Sequence, residues 1–174
     1  MGFIICGFMG SGKTTLIEEL KRDEKTGTCF DLDSLILDQL APEFKGLGEY
    51  IRQAGWDSFR ERESKALCDV LSSLGHRDIV ALGGGTLERE ENILKIQKSE
   101  HILVGLDTPF ELCLRRIKGD RNRPMLDKRD EELREIYLKR CDQYKKSKIL
   151  LKPEQIEQVK SLDDLFHFLN ANDK

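Results

Sequence analysis

Gly7-Phe8-Met9-Gly10-Ser11-Gly12-Lys13-Thr14 fits the spacing G-x-x-x-x-G-K-[ST], a pattern with a definite chemistry. Glycines at these positions let a loop wrap backbone N–H groups around the phosphates of a nucleotide. The lysine reaches the β- and γ-phosphates, and the hydroxyl after it is a direct ligand for Mg²⁺. A glycine turn without a nucleotide is the plain alternative. Placement argues against it, because the segment lies between an apolar run and a helical pattern, where the mechanism requires it. The embedded Gly10-Ser11-Gly12 does not extend to G-x-G-x-x-G, since Thr15 stands at the last position, which disfavours a dinucleotide fold.

Other residues further along could also do chemistry. Asp31 and Asp33 close a short apolar segment, at the edge where ligands of open α/β sheets bind. Different roles are expected for the two, with helix capping as the alternative for each. Arg60 and Glu63 are three apart on a helical pattern, so the carboxylate can hold the guanidinium in one orientation. A solvated ion pair is the ordinary reading of such a pair. Gly83, Gly84 and Gly85 follow an apolar run, which points either to a tight turn or to a backbone that something approaches closely. From Arg115 to Arg129 there are seven basic residues against two acidic ones, in a stretch rich in Gly, Asp, Asn and Pro that reads as an exposed loop.

Strands and helices alternate around these positions. Apolar runs at Phe3–Cys6, Cys29–Asp31, Ile79–Leu82, His101–Leu106 and Lys148–Leu151 read as five strands. Helices are expected from about Lys13, over Ser34–Leu40, Trp56–Leu74, Glu131–Tyr144 and Ser161–Leu169, with a looser helical region between Pro42 and Gly55. Another begins near Thr108 and Pro109, where Thr caps and Pro fills the first turn. Such alternation means an α/β fold, a single domain built on a five-stranded parallel sheet flanked by helices.

Composition narrows the function. With 29 Lys plus Arg against 32 Asp plus Glu, the 174-residue chain carries a net charge of −3. That disfavours nucleic acid as the main partner, since a phosphate backbone demands a basic surface. At 39% hydrophobic and 35% charged the chain is too apolar to be disordered and too charged for a membrane protein. Met1 to Cys6 lacks a basic leader, so a cytoplasmic location is expected. Five widely spaced cysteines with no C-x-x-C pair read as small buried hydrophobes in a reducing compartment.

Among nucleotide-binding classes, a GTPase would show D-x-x-G and N-K-x-D after the phosphate loop, and neither occurs. Motor and helicase ATPases are larger and carry an acidic strand where this chain has Val80-Ala81-Leu82-Gly83-Gly84-Gly85. Small P-loop kinases remain. Within that class the chain resembles the shikimate kinase family in Gly7 to Thr15, Phe30-Asp31-Leu32-Asp33, Phe59-Arg60-x-x-Glu63, Gly83-Gly84-Gly85, Arg123-Pro124-Met125-Leu126, and Arg140 four residues before Tyr144. The matches keep the family's order over residues 1 to about 145.

The resemblance implies a P-loop kinase fold with a substrate-binding helical insert at about 32–62 and a lid at about 116–130. It implies transfer of the γ-phosphate of ATP to the 3-hydroxyl of shikimate, on the route to chorismate and aromatic amino acids. Lys13, Asp33 and Arg123 are then catalytic. Gly10, Ser11, Gly12, Lys13, Thr14, Thr15, Arg116 and Arg123 bind ATP, with Arg116 beside the adenine. Asp33, Arg60, Gly83, Gly84, Gly85 and Arg140 bind shikimate. Mg²⁺ is held by Thr14 directly and by Asp31 through water. ATP and shikimate are the implied partners, with no nucleic acid and no membrane, and a monomer is expected. Met125 stands where the family usually has Leu, a volume-conserving change. Lys145 to Lys148 departs from the usual pattern and leaves the adenine-contacting segment near Lys152 and Pro153 weakly placed. Competing expectations are a kinase for gluconate or a nucleoside monophosphate, or a non-catalytic ATP-binding regulator on the same fold.

Overall fold

Strand β1 (Phe3–Gly7) is buried along its whole length, and its alternation divides the core. Phe3 and Ile5 pack into one hydrophobic cluster, Ile4 and Cys6 into another, as successive side chains on a strand must. The computed structural model describes residues 1–118 and 128–172.

The chain runs β1, α1 (Lys13–Leu20), β2 (Cys29–Asp31), α2 (Leu32–Leu40), α3 (Leu47–Ser73), β3 (Ile79–Ala81), a 3-10 turn (Thr86–Glu88), α4 (Glu90–Lys98) and β4 (Ile102–Leu106). It ends with α5 (Phe110–Ile117), α6 (Asp130–Tyr144), β5 (Ile149–Leu151), α7 (Pro153–Gln158) and α8 (Leu162–Asn172). The sheet order is β2-β3-β1-β4-β5 and every pairing is parallel. One cluster gathers Leu16, Ile17 and Leu20 of α1 with Leu162 and Leu165 of α8. The other gathers α2, α3, α5 and α6 through residues such as Ile36, Leu67, Cys113 and Leu133. All five strands therefore deliver their following loops to one edge of the sheet, where ligands of such folds bind.

The expected strands are all present, and the sheet is five-stranded and parallel. The helical region before Gly55 and the helix after it form one element, α3, kinked at Gly55 (φ 84°, ψ 164°). Helix α4 escaped the periodicity reading, although Glu90 and Glu91 in its first turn and Lys95 and Lys98 in its last suit the helix dipole. Helix α7, with Pro153 in its first turn, occupies a segment expected as a loop. Thr108 does not cap α5. Pro109 is the cap residue, and the Thr108 hydroxyl donates instead to the Ser11 carbonyl at 2.8 Å. That bond turns the hydroxyl toward the phosphate loop, and among the described residues no side chain caps the first-turn amides of α5. Cys6 and Cys113 are buried, but Cys68 is exposed on α3, so the cysteines are not uniformly core residues.

Candidate active site

The loop from β1 into α1 bends through positive φ at Gly10 (76°) and Gly12 (104°). At Gly10 a side chain is doubly excluded, because a Cβ would stand 2.5 Å from the Cys113 carbonyl. Lys13 at the start of α1 folds back across the loop, its Nζ donating to the carbonyls of Gly7 at 2.7 Å and Phe8 at 3.2 Å. Thr14 and Thr15 are exposed in the first turn, where helix amides have no acceptor within the helix. Ser11 turns inward. Its side chain is fully buried, its hydroxyl lacks a partner among the described residues, and its N–H donates to the Phe8 carbonyl at 3.0 Å.

A hollow of about 210 Å³ opens on one flank of this loop, lined by Gly12, Thr15, Leu16, Thr108, Arg116 and Pro153 among others. Arg116 reaches the loop directly, Nη1 donating to the Gly10 carbonyl at 3.2 Å. Helix α7 supplies Ile156 and Glu157 to the lining.

The larger hollow, about 700 Å³, lies on the other flank, under α2 and the kinked α3. Met9 of the phosphate loop, Asp33, Trp56, Phe59, Arg60, Glu63, Gly83 to Gly85 and Arg140 line it. Asp31 and Asp33 part company here. Asp31 ends β2 and caps α2, its carboxylate accepting from the Ser34 N–H at 2.9 Å. Asp33 sits in the first turn with its carboxylate against Gly83, where a Cβ would meet it at 2.9 Å.

Arg60 and Glu63 form a far stronger pair than a solvated one. The Nη1–Oε2 distance is 2.6 Å and Glu63 is fully buried. Its other oxygen accepts from the Thr86 hydroxyl at 2.7 Å. Trp56 and Phe59 flank the Arg60 guanidinium at 5.3 and 5.4 Å from their ring centres. Arg140, on α6, is 5% exposed and lies 5.7 Å from the centre of the Phe8 ring. Tyr144, one turn further along, donates to the Gly84 carbonyl at 2.6 Å. Burial pushes its phenol well above the ordinary range, so it remains a donor.

Arg60 and Arg140 come together over Gly85. A Cβ on that glycine would stand 2.8 Å from Arg140 Nη2 and closer still to Arg60 Nη2. The glycine run is thus a platform for close approach. Glu88 went unnoticed in the sequence, having no motif around it, yet it bridges both arginines, accepting from Arg60 Nη2 at 3.0 Å and Arg140 Nε at 2.9 Å.

One site expectation lies outside the described residues. Arg123 and most of the lid segment fall in 119–127, outside the described residues. Lys128 and Arg129 are exposed, and among the described residues Arg129 pairs with Glu131 and Glu132 of its own helix turn.

A phosphate loop set between a small hollow and a deep one with two convergent guanidiniums suits an enzyme that must hold a nucleotide and an acidic acceptor at once, a small-molecule kinase. Residues 9–170 match the family model described as shikimate kinase, and the chain belongs to that family, whose members are ATP-dependent phosphotransferases. A shikimate kinase of Persephonella marina is 33% identical over 151 residues, covering 86% of this chain and 87% of the relative. One of Staphylococcus haemolyticus is 32% identical over 142 residues, covering 81% and 78%. Among solved structures, shikimate kinase of Aquifex aeolicus superposes with a TM-score of 0.78 at 28% identity, covering 99% of this chain and 98% of that one. Shikimate kinase of Acinetobacter baumannii, solved in complex with shikimate, gives 0.77 at 27% identity over 86% and 82%.

Proposed function

We propose that this chain transfers the γ-phosphate of ATP to the 3-hydroxyl of shikimate, giving ADP and shikimate 3-phosphate, and that its two hollows divide the work. The carrying observation is the convergence of Arg60 and Arg140 over Gly85, with Asp33 beside Gly83, in the hollow that Met9 of the phosphate loop also lines.

In this reading the segment 32–62 forms the acceptor pocket. Arg60 Nη2 and the Nη atoms of Arg140 hold the substrate carboxylate, for which a planar fork is suited. Asp33 faces the substrate hydroxyls and orients the attacking oxygen or takes its proton. That oxygen bonds to the γ-phosphorus as the bond to the β–γ bridging oxygen breaks, and ADP leaves. Lys13 and the N-terminus of α1 meet the charge that builds on the transferred group. Arg123, carried by the lid, adds positive charge to the same group. The adenine occupies the smaller hollow between Arg116 and Pro153.

Exposed oxygen donors in the first turn of α1 and at the end of β2, Thr14 and Asp31, fit a hard cation. Thr14 would hold Mg²⁺ directly and Asp31 through water, and the ion would supply charge neutralisation on the phosphates. No helix among the described residues is long and apolar enough to cross a membrane. A cytoplasmic monomer completes the proposal.

ADP release with Mg·ATP, measured against shikimate, quinate, gluconate and nucleoside monophosphates, tests it. Shikimate alone should stimulate release strongly. Shikimate-independent turnover, or stimulation only by another compound, would refute the assignment.

A further inference from the structure

Glu88 sits on the two arginines in the manner of a ligand. One carboxylate oxygen accepts from Arg60 Nη2 at 3.0 Å and the other from Arg140 Nε at 2.9 Å. Neither arginine depends on it for support. Arg60 is already gripped by Glu63 at 2.6 Å and flanked by two aromatic rings. Arg140 is held by burial and by Phe8. A brace of that kind is buried, as Glu63 is, with 1% of its side chain exposed. The Glu88 side chain keeps 42%, so it can return to water with little desolvation to reverse.

Charge and geometry agree. Arg60 and Arg140 are matched one for one by Glu63 and Glu88, and a third carboxylate entering beside them would meet like charge. The conflict is direct at Arg60 Nη2, the nitrogen that both overhangs Gly85 and donates to Glu88.

We propose that Glu88 is a specificity-determining residue, an internal carboxylate seated across Arg60 and Arg140 that the substrate's carboxylate must displace. The inference rests on the larger hollow being the shikimate site. An acid that engages both guanidiniums offsets the broken pair, whereas a neutral polyol leaves Glu88 in place. Displacement precedes both the ground-state complex and the transition state, so the effect belongs to KM rather than to kcat.

The test compares Glu88→Ala and Glu88→Gln with the unsubstituted protein in shikimate titrations by coupled ADP release at saturating Mg·ATP. Quenching of Trp56, the single tryptophan, which lines the hollow, gives the shikimate Kd in parallel. Removing a unit charge about 4 Å from the incoming carboxylate corresponds to a KM lowered about three- to tenfold in Glu88→Ala. Glu88→Gln should move the same way by less, and Kd should follow KM while the KM for ATP holds. Since Glu88 is half-exposed, both variants should fold, with thermal unfolding as the check. Should Glu88→Ala nonetheless fail to fold, Glu88→Gln, which keeps the shape and loses the charge, decides the matter. A shikimate KM that rises or stays level would overturn the proposal, a rise making Glu88 a brace. Absence of shikimate turnover by the unsubstituted protein would remove the functional reading as well, whereas turnover with a raised KM in the variants removes Glu88's role alone.

Discussion

Replacing Gly85 by alanine separates the carboxylate clamp from the fold. The Gly85 backbone (φ −112°, ψ 4°) lies in a region open to alanine, so the main chain need not move. The added methyl is the whole perturbation. It would stand 2.8 Å from Arg140 Nη2, 2.9 Å from Arg60 Cζ and nearer still to Arg60 Nη2, where a comfortable contact is about 3.5 Å. The Arg60 guanidinium must therefore retreat by about 1 Å. Because Glu63 and the flanking rings confine it, it cannot recover its position by a different rotamer. Overpacking at one point costs about 1–2 kcal/mol, which lowers Tm by about 2–8 °C for a chain of this size. A misplacement of about 1 Å in a positioning group costs about 10²-fold. The expected outcome is a folded protein whose kcat/KM for shikimate falls about 10²-fold, while its Kd for ADP, proposed to occupy the smaller hollow, stays within about twofold. Coupled ADP release, ADP titration and thermal unfolding read the three quantities. A Gly85→Ala protein with kcat and KM within about threefold of the original would refute the claim that these guanidiniums hold the substrate.

Three further outcomes are expected. Lys13→Ala and Asp33→Asn should each lower kcat by about 10²-fold or more. Arg62→Ala, which removes a hydrogen bond to the Tyr50 hydroxyl at 2.8 Å and a guanidinium 5.4 Å from the centre of that ring, both away from the hollow's arginines, should change it less than about twofold; equal losses in all three would mean disturbed folding rather than lost chemistry. Arg60→Ala strands the fully buried Glu63 and should cost about 3 kcal/mol in urea unfolding, and adding Glu63→Gln should recover stability but not activity. Burial pushes the Cys6 thiol from 9.0 to about 11. Its folded pKa thus exceeds the unfolded one, so the associated stability is intact below pH 9 and declines as pH rises from 9 to 11, by about 2–3 kcal/mol. Cys6→Ala should flatten that decline, and iodoacetamide at pH 8 should label exposed Cys68 in the native protein but reach Cys6 only after unfolding, as mass spectrometry would show.

Where the governing forces are local, the sequence alone was sufficient. The phosphate loop, the strand before it and the helix after it depend on glycine conformations, one apolar run and one helical face, all within a few turns of chain. The Arg60–Glu63 pair likewise follows from helical spacing. Five strands with parallel connections emerged from alternation of patterns, though α4, with its charge-marked ends, and α7 were overlooked because their apolar faces are short. The burial of Glu63 was not legible, and it changes a commonplace surface pair into a fixed support. Nor was the split between Asp31 and Asp33, which turns on α2 beginning at Leu32, one residue after the strand ends. Above all, the meeting of Arg60, Glu88 and Arg140 over Gly85 has no local signature. It depends on the order in which strands pair and on how α3, the 3-10 turn and α6 close around one sheet edge. No window of neighbouring residues encodes it, because the distances that matter are set by loop closure and core packing rather than by spacing along the chain.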